Sequence, residues 1–346
     1  MNDNLHPLNP PLGYRKVLVL VDTRLVASAE GAWHCLDRIA RLAVEQGAEL
    51  TLCDVVEPPP TELAIDLVAQ ELIAVRRALA RERLEAIAEP LRALVPLSVE
   101  LCEGTTFLAI TRLVLERRFD LVVHVTNSAA RGGLAATDMH LARKCPCALW
   151  VMDTNGPARY QNVLVAVDRE LYTEPGTVSR FSLQLALTAL LFARLDAAQV
   201  HLVHAWQPYA ADLLTHPRTT LAHATVDRYI GNQRMLHARW LAGLETAVRE
   251  AQGGVALDAQ LIEGEASAVV AATADRHRAD LLVMGTLASG AAPGQFIGHT
   301  AERILARVGI PVLTLKPPGF LSPVRAVPDD LAVARAHAGE RQGASS

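Results

Sequence analysis

The 346-residue chain reads as two tandem copies of one α/β domain, each a doubly wound, five-stranded parallel sheet. Three observations predict this. Each half opens with an apolar run that ends in Asp: Lys16-Val17-Leu18-Val19-Leu20-Val21-Asp22 and Asn162-Val163-Leu164-Val165-Ala166-Val167-Asp168. Such runs mark parallel strands buried on both faces. Apolar residues make up 51% of the chain and aromatics only 4%, so Ala, Leu and Val carry the core, which suits helices packed on a parallel sheet. Finally, Glu103-Gly104 stands as far before Asp120 as Glu263-Gly264 stands before Asp280, and Thr126 and Thr286 keep that register. An equal interval through strand, turn, helix and strand indicates duplication.

The elements follow in matched order. After the first strand comes a helical segment with Ile39, Leu42 and Ala43 at helical spacing, and in the second half Leu183, Leu187 and Leu190. Second strands are predicted at Ala48–Val56 and Gln199–Trp206. The Ala/Leu/Arg/Glu-rich stretches Glu62–Leu94 and Thr219–Ala251 read as extended helices. Third strands, Leu97–Glu103 and Ala256–Glu263, run into Gly104 and Gly264. Each is followed by a helix and a fourth strand, Phe119-Asp120-Leu121-Val122-Val123 and Ala279-Asp280-Leu281-Leu282-Val283. A short helix (Asp138–Lys144, Ala301–Ala306) and a Pro-containing entry lead to the last strands, Cys147–Met152 and Pro311–Lys316. The domains are placed at 1–153 and 160–316, with a linker carrying Asn155-Gly156-Pro157 between them. The tail 317–346 loses the pattern and is expected to be mobile.

Composition narrows the function. A net charge of −4 without long runs of like charge argues against nucleic acid or a membrane surface as partner. The first thirteen residues lack the charged start and apolar run of a signal peptide, and no apolar stretch is long enough to span a bilayer, so a soluble, cytoplasmic protein is expected. The five cysteines have no CxxC spacing; Cys145-Pro146-Cys147 is expected to be two buried thiols pointing to different sides. His201 and His204, three apart on a strand, fall on opposite faces and make a poor metal pair. The chain has no Gly-x-Ser-x-Gly elbow, no Gly-x-Gly-x-x-Gly after the first strand and no Walker motif, which removes the hydrolase, dehydrogenase and P-loop readings.

In this fold class ligands sit beyond the carboxyl ends of the strands at the switch point of the sheet. That singles out Asp22 or Asp168 and the segment after the fourth strand. In the second half this segment runs Val283-Met284-Gly285-Thr286-Leu287-Ala288 and on to Phe296-Ile297-Gly298-His299-Thr300-Ala301-Glu302-Arg303-Ile304-Leu305. Glycines permit unusual backbone angles and close approach of amides to an anion, and a helix starting at His299 or Thr300 presents free N–H groups. With Pro311-Val312-Leu313 after it, this stretch resembles the universal stress protein family. Members close with a Gly-x-x-Gly loop, a spacer, Gly-Ser, Ala-Glu-Arg-Val-Leu and a Pro-Val-Leu-Val strand. The interval from Gly285 to Gly298 matches the family's first and third glycines, and the resemblance reaches about Lys316 in both halves. Together with Thr137-Asp138-Met139-His140-Leu141-Ala142-Arg143-Lys144-Cys145-Pro146, it looks like the tandem, E-type branch.

The resemblance implies the universal stress protein fold, which is adenine nucleotide alpha hydrolase-like, and ATP or a related adenine nucleotide as ligand. It places Asp168 near the adenosine, Met284 along the adenine, and Gly285, Ala288, Gly298, His299 and Thr300 in the loop. It further implies a stress-response regulator rather than an enzyme, with slow ATP hydrolysis left open. Last strands pair in this family, so the tandem chain is expected to form an intramolecular pseudo-dimer, with a homodimer as a further assembly. Two positions depart from the pattern. Ala288 replaces the second glycine, at roughly 1–2 kcal/mol if that site needs positive φ, and His299 replaces the serine, where it either contacts a phosphate or crowds one. The first-half loop departs further. It is three residues shorter between Thr126 and Thr137 than between Thr286 and Thr300, it has Ala135 in place of Gly298, and it places Asp138 where a carboxylate competes with phosphate. Asp138 reads as a helix N-cap beside a half-exposed His140, the alternative being a polar cluster of Asp138, His140 and His124. The rival function is a non-nucleotide small molecule or amphiphile held in the same pocket.

Overall fold

In the computed structural model, residues 13–23, 30–59, 66–127, 133–169, 179–214, 216, 218, 220–251, 256–287 and 296–325 are described. The first domain contains strands β1 (Lys16–Val21), β2 (Glu49–Val56), β3 (Leu97–Glu103), β4 (Leu121–Thr126) and β5 (Ala148–Asp153). Its helices are α1 (Glu30–Gln46), α2 (Leu67–Arg92), α3 (Thr106–Arg117) and α4 (Ala136–Lys144). The second repeats this with β6 (Asn162–Ala166), β7 (Gln199–Trp206), β8 (Leu257–Glu263), β9 (Leu281–Gly285) and β10 (Val312–Leu315). Its helices are α5 (Arg180–Asp196), a short α6 (Ala211–Leu214), α7 (His223–Ala251), α8 (Ala266–His277) and α9 (His299–Leu305).

All strands join one ten-stranded sheet in the order β3-β2-β1-β4-β5-β10-β9-β6-β7-β8. Neighbours are parallel except at the centre, where β5 and β10 pair antiparallel with Leu313 opposite Trp150. The expected intramolecular pseudo-dimer is therefore built through the last strands, and each domain's edge strand is covered by the other's. Along β1 the pleat sends Val17, Val19 and Val21 to one helical layer and Leu18 and Leu20 to the other, so the apolar run feeds two cores at once. Duplication extends to backbone detail. Both α3 and α8 end on an arginine in the left-handed region, Arg118 at φ 58° and Arg278 at φ 49°, which costs each domain about 1 kcal/mol.

The domain boundary holds a buried ion cluster. Asp196, at the end of α5, accepts from Arg38 of α1 through Nε at 3.1 Å and Nη2 at 3.0 Å, from Arg41 Nη1 at 2.8 Å and from the Tyr160 amide at 2.8 Å. The Arg38 guanidinium lies 3.6 Å from the centroid of the Tyr160 ring. Burial alone would raise the Asp196 pKa; the Tyr160 N–H and the two arginines overturn this and hold it below the ordinary carboxylate value. Lys316, after β10, is also buried at this boundary. Its Nζ donates to the carbonyls of Ala142, Arg143 and Phe296, and burial pushes its pKa down to about 7.

Two expectations are corrected. Cys145 and Cys147 point to the same side, both buried, with Sγ atoms 3.5 Å apart, because residues i and i+2 of an extended segment share a face. The start of the tail is not loose either. Ser322 Oγ donates to Lys144 O of the first domain at 2.7 Å, and Val324 is buried. Residues 326–346 lie outside the described residues.

Candidate functional site

A cavity of about 510 Å³ opens at the carboxyl ends of β6 and β9, the switch point of the second half. Of the residues expected there, it brings together Asp168, Met284, Gly285, Gly298, His299 and Thr300. Ala288 lies outside the described residues. The Asp168 side chain is exposed at the mouth and accepts from the Arg169 amide at 2.8 Å. Met284 is buried in β9 and, with Phe181, Leu185, Val203 and Ile304, gives the cavity an apolar wall.

The two glycines have different reasons to be there. A Cβ on Gly285 would stand 2.6 Å from Cε1 of Phe181, so this glycine accommodates a ring of α5. A Cβ on Gly298 would meet nothing closer than Thr286 O at 3.7 Å. Gly298 has φ −80° and ψ 146°, open to any residue, and its amide donates to Thr286 O at 2.9 Å. Neither glycine uses an angle closed to other residues, contrary to the sequence-based expectation, and the Gly298 amide is already taken. The left-handed glycine that lines this cavity is Gly264, at φ 151° after β8, where a Cβ would stand 2.8 Å from Val269 Cγ2. The Glu-Gly repeat marked this position in the sequence, although only as evidence of duplication. Ser182, also missed, donates from Oγ to Asp168 O at 2.8 Å and ties the start of α5 to the end of β6. The first-turn amides of α9 have no carbonyl partner within the helix, and that turn lines the cavity.

Behind Asp168 stands a pair of histidines. His201 and His204 do face opposite sides of β7: His204 bonds His237, while His201 packs on His277. His204 Nδ1 lies 3.2 Å from the Val167 carbonyl, which only accepts, so Nδ1 carries the proton and Nε2 accepts from His237 Nδ1 at 2.8 Å. Burial, reinforced by Arg169 and for His237 also by His204, depresses both pKa values to about 4. Unfolded imidazoles take up protons near 6.5, so between that pH and about 4 the unfolded state binds more protons and stability falls as pH falls. For buried His204 the loss between pH 7 and pH 5 should be about 2 kcal/mol. Urea unfolding at the two pH values checks this; a His204→Gln variant that keeps the whole slope would assign it elsewhere.

The matching position of the first domain is closed. Counting from the shared aspartates, His124 stands where Met284 stands; counting back from the last strands, across the shorter loop, Asp138 stands where Ala301 stands. In the second domain those positions leave the gap between β9 and α9 open to the cavity. In the first, His124 Nδ1 and Asp138 Oδ1 bond each other across it, with Asp138 fully buried. The N-cap reading of Asp138 is thereby corrected: Ala135 is the N-cap of α4, and Asp138 turns inward from the first turn. His140 stands outside the pair, stacked on Phe107 with centroids 4.5 Å apart. The end of the first-domain loop is an interface instead. Leu134 N donates to Leu305 O at 3.0 Å, a Cβ on Gly133 would stand 2.5 Å from Ala306 O, and Arg143 pairs with Glu302 of α9.

Comparison with known proteins agrees with this architecture. A sequence profile of the Universal stress protein family matches residues 13–153 and again 159–316. Universal stress protein E of Escherichia coli K12 is 25% identical over 272 residues, covering 76% of this chain and 83% of its own. Universal stress protein E of Photorhabdus laumondii is 25% identical over 226 residues, 63% of this chain and 68% of its own. Among solved structures, a universal stress protein from Archaeoglobus fulgidus DSM 4304 superposes with a TM-score of 0.55 at 13% identity, covering 87% of this chain and 98% of its own. A functionally unknown protein from Pseudomonas aeruginosa PAO1 gives 0.57 at 21%, covering 95% and 98%. With a duplicated switch-point fold and a profile match in each half, this chain belongs to the universal stress protein family.

Proposed function

We propose that the chain is a cytoplasmic stress-response regulator that binds one adenine nucleotide, ATP or a relative, in the second domain and catalyses no metabolic reaction. The observation that carries this reading is the asymmetry between the halves. The gap between the fourth strand and the last helix is an open cavity in one domain and bridged by His124 and Asp138 in the other. The volume lies in the range of small-molecule sites, about 300–1,000 Å³. Asp168 stands at the mouth for a ribose hydroxyl, Met284 supplies an apolar surface for a base, and His299 and Thr300 bring first-turn amides toward phosphate.

A second reading has its own support. Arg169 is the one Lys or Arg among the described residues lining the cavity, and the wall is largely aliphatic and aromatic. A neutral or amphiphilic small molecule fits that lining. Native mass spectrometry on gently purified protein separates the two. One nucleotide mass per chain is expected; an apolar adduct in its place would favour the second reading.

A further inference from the structure

We propose that His201, Asp258 and His277 form a binding site for a divalent cation of the zinc class, at the end of the second-domain sheet opposite the cavity. His201 is the third residue of β7 and Asp258 the second of β8, and the two are register partners on neighbouring strands. His277 is the last residue of α8, whose crossover returns it to the amino-terminal end of the strands. One ligand atom from each residue lies within 4.8 Å of the others.

His201 makes this more than a cluster. Its side chain is 5% exposed, and its Nδ1 is buried without a hydrogen-bond partner. Leaving a buried polar nitrogen unpaired is unfavourable, and a bound cation would satisfy it. Its other nitrogen, Nε2, lies 3.2 Å from Asn162 Oδ1. If that amide oxygen accepts, Nε2 holds the proton and Nδ1 presents its lone pair. Such a second partner, which sets the tautomer of a ligating histidine, is usual at metal sites. Nδ1 lies 3.7 Å from Asp258 Oδ2, too long for a hydrogen bond but close to the edge of about 3.3 Å that tetrahedral zinc sets between ligand atoms.

Asp258 and His277 already gather around one donor. One amide nitrogen, Gln260 Nε2, donates to Asp258 Oδ2 at 2.6 Å and lies 2.9 Å from His277 Nε2. Two imidazoles and one carboxylate with an open position suit zinc; magnesium and calcium prefer oxygen ligands throughout. The first domain sharpens the contrast. At the matching positions Thr51 bonds Ser98 at 3.0 Å and Arg117 pairs with Glu100 at 2.6 Å, whereas in the second domain Gln260 bonds Asp258 and His277 but His201 Nδ1 is left without a partner. The second domain has replaced that set with ligand-forming residues.

The test is calorimetric titration of the full, metal-stripped, tag-free chain with ZnCl2 and separately with MgCl2. One Zn²⁺ per chain is expected, with no heat from Mg²⁺. Asp258→Asn and His277→Ala, both at partly exposed positions, should each weaken zinc at least about tenfold without unfolding the chain, and His223→Gln should leave it unchanged. A chain that binds no zinc, or either ligand variant binding as tightly as the parent, overturns the site.

Discussion

Replacing Asp196 with Ala is expected to destabilise the chain by about 3–5 kcal/mol, because it strands a buried guanidinium without its counter-charge. Arg38 is 3% exposed, and what remains to it is the Pro157 carbonyl at 3.3 Å and the face of the Tyr160 ring, neither of which carries a counter-charge. The same substitution removes acceptors from Arg41 and from the Tyr160 amide. Urea unfolding reads the loss. The double variant Arg38→Met, Asp196→Leu should recover much of it, since apolar replacement of a buried pair is often close to neutral. A pH series adds a second signature. The folded pKa of Asp196 is depressed, so its contribution is present above the unfolded value near 3.9 and is lost as pH falls through the folded one. That window lies below the one set by His204.

Gly298→Val is expected to abolish nucleotide binding, a loss of about a hundredfold or more, or roughly 3 kcal/mol. The fold should survive. The backbone angles suit valine, a Cβ meets only Thr286 O at 3.7 Å, and the poorer N-cap costs about 1 kcal/mol. The added side chain then occupies space beside the first turn of α9, where the cavity is. Ala135→Val in the first domain is the matched control and should leave affinity unchanged. Thermal melting confirms that both variants are folded before binding is read. A folded Gly298→Val chain that binds nucleotide as the parent does would remove the helix start from the site.

The fold was legible because its signals are local. Buried parallel strands show as apolar runs, and a duplicated register shows as equal spacing. Helix starts were less legible. The expected Asp138–Lys144 and Ala301–Ala306 begin at Ala136 and His299, because their N-caps, Ala135 and Gly298, make no side-chain cap bond to mark the boundary. The long helices begin at Leu67 and His223, later than Glu62 and Thr219, and the short α6 left no periodic trace. In the site, the fourth-strand loop could be read directly. Phe181, Ser182, Val203 and Gly264 come from other elements, and only the crossovers bring them to one cavity. The closure of the first domain was half legible: His124 and Asp138 stood out by type, but their union depends on a strand and a helix separated by a loop.

Calorimetric titration of ATP into the intact chain counts the nucleotide sites. A single site per chain is expected, lost in Gly298→Val and retained in Ala135→Val. Two sites per chain, or binding that survives Gly298→Val and disappears with Ala135→Val, would contradict it.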